Sequence, residues 1–191
     1  MRQLFHFIKY ALKLEEPHTQ VTERECDVLK HYSRNADVIV EIGCYEGKTS
    51  TTLANNCAGQ VYTVDDFRPG RAGVNFSEWI ARLHRRRAAA KNLEIIKGTS
   101  SNTASRFTQQ IDFLFIDADH SYEAVKRDWE LWGAKVPSGG IIAFHDCKCA
   151  DSSPNYLGSM AFYERELCKS DAIEEIASVD SLVLFRVKGQ L

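Results

Sequence analysis

From Val38 onward the sequence alternates short apolar runs with segments of helical spacing, and this alternation limits the possible fold more than any other feature. Runs of strand length lie at residues 38–42, 61–64, 93–96, 111–116 and 141–144. Nearly continuous apolar strands separated by helices are typical of parallel sheets that are buried on both faces. The alternation therefore predicts a doubly wound α/β sheet with helices on both sides.

The C-terminal part predicts how this sheet ends. Two further runs, residues 172–179 and 182–187, are separated only by Asp180 and Ser181, so they must pair as an antiparallel hairpin. Helices are predicted between the runs, at residues 48–56, 76–91, 103–108, 122–132 and 159–168. We therefore expect a Rossmann-like sheet of seven strands, mostly parallel, with an antiparallel hairpin at its C-terminal end.

The N-terminal residues 1–21 are predicted to be a helical extension of a domain that spans residues 22–191. Apolar side chains at helical spacing over residues 4–12 predict a helix that packs on the domain, on a dimer partner or over the substrate opening. This stretch is shorter than the ~20 apolar residues that a membrane-spanning helix needs. A second helix is predicted from Thr22, with Glu25 in the position of a capping box.

Charge and cysteine content indicate the compartment and the partners. The formal net charge of -2 gives no general attraction to nucleic acids or anionic membranes, so neither is expected as a partner. The six cysteines are scattered and follow no secretory signal, which indicates reduced thiols in the cytoplasm. Zinc at the run 145–149 (His-Asp-Cys-Lys-Cys) is disfavoured, because a structural zinc site usually takes a second pair of ligands.

One basic run stands out, on the helix predicted over residues 76–91. Its cations are predicted to project into solvent, with attraction of an anionic substrate as the alternative, and they are Arg82, Arg85, Arg86, Arg87 and Lys91. The apolar residues at helical spacing on the other side are predicted to face the core: Trp79, Ile80, Leu83 and Ala90.

The segment 41–50, E-I-G-C-Y-E-G-K-T-S, joins the first predicted strand to a helix. Glycines at such a junction let the backbone approach a ligand, and the free N–H groups of a helix start bind carboxylates or phosphates. The dinucleotide and P-loop patterns are both absent, which disfavours a pyrophosphate. Asp65 ends the second strand, where an acid can accept ribose hydroxyls, and Ser100 follows the third. Together these segments predict a nucleoside cofactor without pyrophosphate.

With these motifs, the chain from about Thr22 to Val187 resembles the class I S-adenosylmethionine-dependent methyltransferases. The resemblance implies a cofactor site in which some residues shape or flank the methionine pocket: Glu41, Gly43, Tyr45, Gly47 and Thr49. It also implies that Asp65 holds the ribose, that Ser100 lies near the adenine and that Asp117 touches the cofactor. Glu46 is predicted to be a solvated acid in the first turn of the helix.

Two strand ends carry the residues that predict chemistry. The fourth strand leads into Asp117 and His120, and the fifth into His145 and Asp146, so their side chains are expected to meet in one crevice. Methyl transfer to a hydroxyl needs a base or a cation that lowers the hydroxyl pKa. These segments are similar to the metal-dependent O-methyltransferases of the macrocin and catechol types. That similarity implies magnesium on Asp117, His145 and Asp146, with His120 as the general base.

His145 departs from the oxygen ligands that magnesium prefers. A weak magnesium site held by Asp117 and Asp146, no metal at all, and a His145 bonded to backbone therefore remain alternatives. The sequence predicts a methyltransferase that acts on a small-molecule hydroxyl, with a sugar or glycoside favoured as acceptor. A nucleic-acid or protein methyltransferase and a non-catalytic nucleoside-binding scaffold are the alternative functions, and a homo-oligomer is left open.

Overall fold

The computed structural model describes residues 2–69, 73–148 and 157–189. The strands in these ranges are β1 (Val38–Ile42), β2 (Gln60–Asp65), β3 (Leu93–Lys97), β4 (Phe113–Ile116), β5 (Ile141–Phe144), β6 (Ile173–Val179) and β7 (Leu182–Val187). The α-helices are α1 (Arg2–Ala11), α2 (Glu23–Ser33), α3 (Lys48–Asn56), α4 (Phe76–Arg87), α5 (Ser100–Ala104), α6 (Tyr122–Asp128) and α7 (Gly158–Arg165).

The strands form one seven-stranded sheet in the order β3-β2-β1-β4-β5-β7-β6. Strands β1 to β5 run parallel, while β7 is antiparallel to both β5 and β6. The predicted fold class is therefore confirmed, including the C-terminal hairpin. The strand order reverses between β1 and β4, and in such sheets ligands bind at the carboxyl ends of the strands beside this reversal.

Both faces of the sheet are covered, as the continuous apolar runs predict. Alternate residues of β1 enter different core layers: Val40 packs in the layer of Trp132, and Ile39 packs in the layer of Leu29 and Leu53. Because successive side chains of a strand point to opposite faces, a strand that is buried on both faces needs apolar residues at nearly every position.

The capping box predicted for α2 is present. The Thr22 side chain accepts a hydrogen bond from the Glu25 backbone N–H at 3.2 Å, and the Glu25 carboxylate accepts one from the Thr22 N–H at 2.8 Å. These bonds fix the start of the helix by satisfying two backbone donors that would otherwise have no partner in the helix.

Three predicted helices have different limits in the structure. The helix predicted at 103–108 is α5, which begins at Ser100 because Thr99 caps it by accepting from the Asn102 N–H. Helix α4 ends at Arg87 rather than 91, since Ala89 adopts a left-handed φ of 51°. The helix predicted at 122–132 continues beyond α6 as a π-helical turn, Trp129–Gly133.

Helix α1 packs on α4, the first of the three positions predicted for it. The Phe7 ring contacts Phe76 and Trp79 at centroid distances of 5.8 and 5.4 Å. The prediction that Trp79 faces the core is wrong, because 49% of its surface is exposed and its ring contacts Phe7 of α1. Arg87 also departs from a purely solvated role, because its guanidinium donates to the carbonyls of Tyr10 and Ala11 at the end of α1.

Among the helices in the described ranges, none combines the length and the apolar character needed to cross a membrane. Cys147 is buried, and its thiol donates to the carbonyl of Ser159 at 3.8 Å. Cys149, the other thiol of the disfavoured zinc run, lies outside the described residues, as do residues 70–72 and 150–156.

Candidate active site

A cavity of about 710 Å³ lies at the carboxyl ends of β1, β2 and β4, beside the reversal of strand order. Cofactor and ligand pockets usually have volumes of about 300–1,000 Å³. The lining includes most of the predicted site residues: Glu41, Gly43, Tyr45, Thr49, Asp65, Ser100, Asp117 and His120. Gly47, His145 and Asp146 are not part of this lining.

The loop between β1 and α3 turns through left-handed backbone at three positions, Gly43 (φ 101°), Tyr45 (φ 50°) and Gly47 (φ 77°). A Cβ atom at Gly43 would lie 2.0 Å from the carbonyl oxygen of Asp117. Gly43 is therefore required so that the loop can pass against the end of β4. The sequence suggested a different reason, close approach of the backbone to a ligand, and did not predict this contact.

Asp65 holds the same loop from the end of β2. Its Oδ2 accepts from the backbone N–H groups of Cys44 and Tyr45, both at 3.0 Å, and its Oδ1 accepts from the N–H of Phe67 at 2.7 Å. A carboxylate offers about four acceptor positions. Three are used, so about one acceptor position of Asp65, which lines the cavity, remains for a ligand hydroxyl.

Glu41 is buried below the loop, with 1% of its surface exposed. It accepts hydrogen bonds from the hydroxyls of Ser50 and of Thr63, the latter at 2.7 Å. Burial raises the pKa of Glu41 to about 8, against the lowering effect of these two hydroxyls. Glu41 thus carries a proton at neutral pH and is an uncharged part of the cavity wall.

The prediction that Glu46 is solvated is wrong. Only 3% of Glu46 is exposed, and its Oε2 accepts from the backbone N–H of His18 at 2.5 Å and lies 2.9 Å from His6 Nε2. The residues that follow this contact, 18–20, line the cavity. The N-terminal segment is therefore fastened to the cofactor loop by a buried acid, and it closes one side of the cavity.

Ser100 lines the cavity, but its hydroxyl has two protein partners. It donates to the carboxylate of Asp128 and accepts from Trp132 Nε1 at 2.8 Å. Asp128, which sequence reasoning missed, also lines the cavity, and burial raises its pKa. Its signal in the sequence is an acid on the apolar side of a helix, one turn after Ala124.

The carboxyl ends of β4 and β5 bring four predicted side chains together, here called the acid–histidine cluster: Asp117, His120, His145 and Asp146. His145 Nδ1 lies 3.2 Å from Asp117 Oδ1 and 3.3 Å from Asp146 Oδ2. His120 Nε2 lies 3.7 and 3.2 Å from the same two oxygens. The sequence thus located all four residues, although it did not predict that His120 faces the two carboxylates.

His145 is oriented from behind by Glu25. Its Nε2 lies 3.2 Å from Glu25 Oε2, while Glu25 Oε1 accepts from both the N–H and the hydroxyl of Ser181. The alternative of a His145 bonded to backbone is therefore wrong. Sequence reasoning gave Glu25 only its capping role, because nothing along the chain relates it to His145.

The charges in the cluster support each other. Burial opposes the charge of His145, but Asp117, Asp146 and Glu25 outweigh it and raise the pKa of His145 to about 12. Burial acts in the same way against ionised Asp117, and the two imidazoles nevertheless lower its pKa to about 2. The cluster is therefore suited to holding positive charge, as protons or as a cation.

Asp146 has a left-handed backbone conformation (φ 54°), which is uncommon for a residue with a side chain. Its carbonyl accepts from the Ser159 hydroxyl at 2.6 Å, and its N–H donates to the Ser181 hydroxyl at 3.4 Å. Strained backbone of this kind costs about 1–3 kcal/mol and persists where its surroundings fix it, often at functional sites.

Comparison with known proteins identifies the class. A family profile described as a methyltransferase domain matches residues 40–147, which is more than half of the chain. The chain therefore belongs to this methyltransferase family, and its fold is that of the class I enzymes. This match confirms the resemblance stated from the sequence.

Individual proteins are similar at lower identity. Uncharacterized protein R132 of Acanthamoeba polyphaga mimivirus is 28% identical over 124 residues, which cover 62% of this chain and 55% of that protein. The match thus spans about half the length of that relative. Cofactor-bound Rv0187 from MTB superposes with a TM-score of 0.73 at 19% identity, covering 100% of this chain and 91% of that chain.

Two structures of O-methyltransferases have the same fold. The Bacillus cereus enzyme in complex with SAH gives a TM-score of 0.70 at 19% identity, covering 98% of this chain and 91% of that one. TomG from Streptomyces achromogenes, in complex with SAM, gives 0.69 at 18% identity, covering 99% and 91%. At such identities the likeness shows the fold alone.

Proposed function

We propose that this chain binds S-adenosylmethionine in the cavity and transfers its methyl group to a hydroxyl of a small molecule. The observation that carries the proposal is that the loop after β1, Asp65 and Asp117 all line the same cavity. Family membership and the cofactor named for structures of the same fold support the choice of cofactor.

In this proposal the loop from Gly43 to Gly47, with Thr49 at the start of α3, receives the methionine end of the cofactor. The remaining acceptor position of Asp65 takes a ribose hydroxyl. The adenine lies toward Ser100. Because the Ser100 hydroxyl already has two protein partners, the carboxylate of Asp128, which also lines the cavity, is the acceptor that we propose for its exocyclic amine. The residues present therefore fit a nucleoside that carries an amino-acid tail.

The acceptor hydroxyl has to lose its proton as its oxygen attacks the methyl carbon. We propose His120 as the base, since it is the histidine of the acid–histidine cluster that lines the cavity. Asp117, His145 and Asp146 would hold a divalent cation, which when bound lowers the pKa of a hydroxyl that it contacts. His120→Ala should then lower turnover about 100- to 10,000-fold while cofactor affinity hardly changes.

A sugar or glycoside is the acceptor that we propose within this class. Polar groups of His18, Thr19, Gln20 and Arg68 border the cavity and suit a ligand with several hydroxyls. The acidic balance of the chain disfavours a nucleic-acid substrate. A scaffold without chemistry would need no acid–histidine cluster beside the cavity, and this cluster favours an enzyme.

The proposal is tested in two steps with the full chain. Calorimetry with S-adenosylhomocysteine, on the wild type and on Asp65→Ala, measures whether the cavity binds the cofactor. Transfer of an isotope-labelled methyl group to a panel of sugars, glycosides and catechols then identifies the acceptor class. Absence of cofactor binding would refute the proposal, and binding without transfer to any hydroxyl would favour the scaffold function.

A further inference from the structure

Large apolar side chains that are exposed to solvent are concentrated on one part of the surface. The part of the chain that the structure describes has eight of them, and six lie on helix α1, on the turn after it, or against it. These six are here called the α1 patch: Leu4, Phe5, Ile8, Leu12, Leu14 and Trp79. Single exposed apolar residues are ordinary on protein surfaces, whereas a group of neighbours usually marks an interaction site.

Helix α1 has apolar side chains on two sides. Phe7 and Tyr10 face the domain, where the Phe7 ring packs on α4 and only 3% of Tyr10 is exposed. Leu4, Ile8 and Leu12 follow each other at intervals of four residues, so they share a face of the helix. They are 42%, 43% and 65% exposed, which turns this face to solvent. The packing of α1 on α4 therefore does not account for the outer apolar face.

The turn after α1 leaves Leu14 exposed as well. Lys13 has left-handed backbone (φ 61°), and its N–H donates to the Tyr10 carbonyl at 2.9 Å. The N–H of Leu14 donates to the Lys9 carbonyl at 2.8 Å, which completes a Schellman motif. The apolar residue at the position of Leu14 often packs on the last turn of the helix in this motif. Here 71% of Leu14 is exposed, so the helix end does not cover it.

The same part of the surface carries a positive charge. Residues 2–16 and helix α4 contain seven lysines and arginines and three acids, Glu15, Glu16 and Glu78, so their net charge is +4. The formal net charge of the whole chain is -2, so the remaining residues carry -6. The charge of the whole chain, from which no membrane partner is expected, therefore hides an uneven distribution. The exposed cations beside the α1 patch are Arg2, Lys9, Lys13, Arg82 and Arg86.

We propose that the α1 patch binds the surface of a membrane that contains anionic phospholipids. A helix with an apolar face and neighbouring cations lies in the plane of a bilayer, with its apolar side chains below the headgroups and its cations at the phosphates. The ten residues of α1 are too few to cross the bilayer. A two-fold dimer through this patch would bring two positively charged surfaces together, so charge favours the lipid surface over a second copy.

Sedimentation of the full chain with vesicles tests the proposal. One set of vesicles is pure phosphatidylcholine, and the other is phosphatidylcholine mixed with phosphatidylglycerol. We expect binding to the mixed vesicles that weakens as salt is added, and much weaker binding to phosphatidylcholine alone. Lys13→Gln and Arg86→Gln should each lower the partition coefficient about fivefold. The double variant Phe5→Ala/Leu12→Ala should lower it about 10- to 100-fold.

Leu131→Ala and Arg106→Gln are the matched controls, because they remove an exposed apolar residue and an exposed cation away from the patch. Both should bind like the wild type. Phe5 and Leu12 are 60% and 65% exposed, so the melting temperature of the double variant should hardly change, and a thermal scan checks that it is folded.

Absence of binding to the mixed vesicles, or equal binding by Phe5→Ala/Leu12→Ala, would overturn the proposal. Size-exclusion chromatography adds a second criterion: a dimer that this double variant dissociates would make the patch an interface between copies of the chain, and would also overturn it. No cofactor is present in these measurements. Membrane binding and the proposed methyl transfer can therefore fail independently.

Discussion

Glu46 gives the sharpest prediction about how the N-terminal segment is attached. Its buried carboxylate accepts from the His18 N–H at 2.5 Å and faces His6 Nε2 at 2.9 Å. Glu46→Ala removes both interactions and leaves two donors without their partner. Because residues 18–20 border the cavity, the same substitution should also loosen one wall of the cofactor site.

The expected loss of stability follows from these two bonds. A hydrogen bond to a charged group contributes about 1.5–3 kcal/mol, and water that enters the site recovers part of this. We expect the free energy of unfolding to fall by about 2–4 kcal/mol. The decrease in the free energy of unfolding cannot exceed the free energy with which the N-terminal segment docks, because full detachment of the segment removes that contribution entirely.

The effect should depend on pH through His6. Burial opposes the charge of His6, but Glu15 and Glu46 outweigh it and raise its pKa above the ordinary 6.5. A raised histidine pKa stabilises the folded state fully below about pH 6.5, and this contribution is lost as the pH rises through the folded value. The difference between wild type and Glu46→Ala should therefore shrink from pH 6 to pH 8.

Urea unfolding at several pH values measures this difference, and calorimetry with S-adenosylhomocysteine measures the effect on the cavity. Glu16→Gln is the matched control, because Glu16 is exposed on the same segment and should change stability by less than about 0.5 kcal/mol. A Glu46→Ala protein as stable as this control would refute the buried anchor. A difference that grows with pH would refute the role of His6.

Three further predictions concern the cofactor loop. Gly43→Ala should lower the melting temperature in a thermal scan, whether or not cofactor is present, because the added Cβ would lie 2.0 Å from the carbonyl oxygen of Asp117. An unchanged melting temperature would contradict the packing of the loop. Asp65→Ala should weaken S-adenosylhomocysteine binding by about 1.5–3 kcal/mol in calorimetry, and unchanged affinity would refute the placement of the ribose. The pKa of Glu41 is about 8 in the folded protein and 4.5 in the unfolded chain. Between these two pH values only the folded protein keeps the proton, so the free energy of unfolding should fall by about 1.4 kcal/mol per pH unit. Glu41→Gln should remove this slope in urea titrations, and a slope that persists would show that Glu41 is ionised.

The fold could be predicted because its main signal is local. Strand β1 has the predicted limits, 38–42, and so does the run at 182–187 that forms β7. A strand that is buried on both faces of the sheet needs a nearly continuous apolar run, which is visible in the sequence. Only Asp180 and Ser181 separate the last two runs, so these runs can be joined only by a tight turn. Helix ends were less predictable, as Ala89 shows, since a single left-handed residue ends a helix without any apolar signal.

The candidate site could be predicted where residues follow strand ends, as for Asp65 and Asp117. It could not be predicted where the partner lies far along the chain. Glu46 has the ordinary sequence position of a solvated helix-start acid, and only the fold of the N-terminal segment buries it. Ser100 lines the cavity, but the partners of its hydroxyl come from a later helix and were not predicted.

Glu25 shows why the sheet topology matters for the candidate site. In an antiparallel pair the end of one strand lies beside the start of the other, and Phe144 at the end of β5 pairs with Val183 near the start of β7. The turn residue Ser181 is therefore carried to the end of β5, where it bonds both Glu25 and the backbone of Asp146. The carboxylate of Glu25 comes from the capping box of α2, and Ser181 of the C-terminal hairpin holds it by two hydrogen bonds. Glu25 in turn orients the ring of His145. A residue that the sequence explains fully as a helix cap thus positions the acid–histidine cluster, because the antiparallel insertion of β7 brings distant parts of the chain to one strand end.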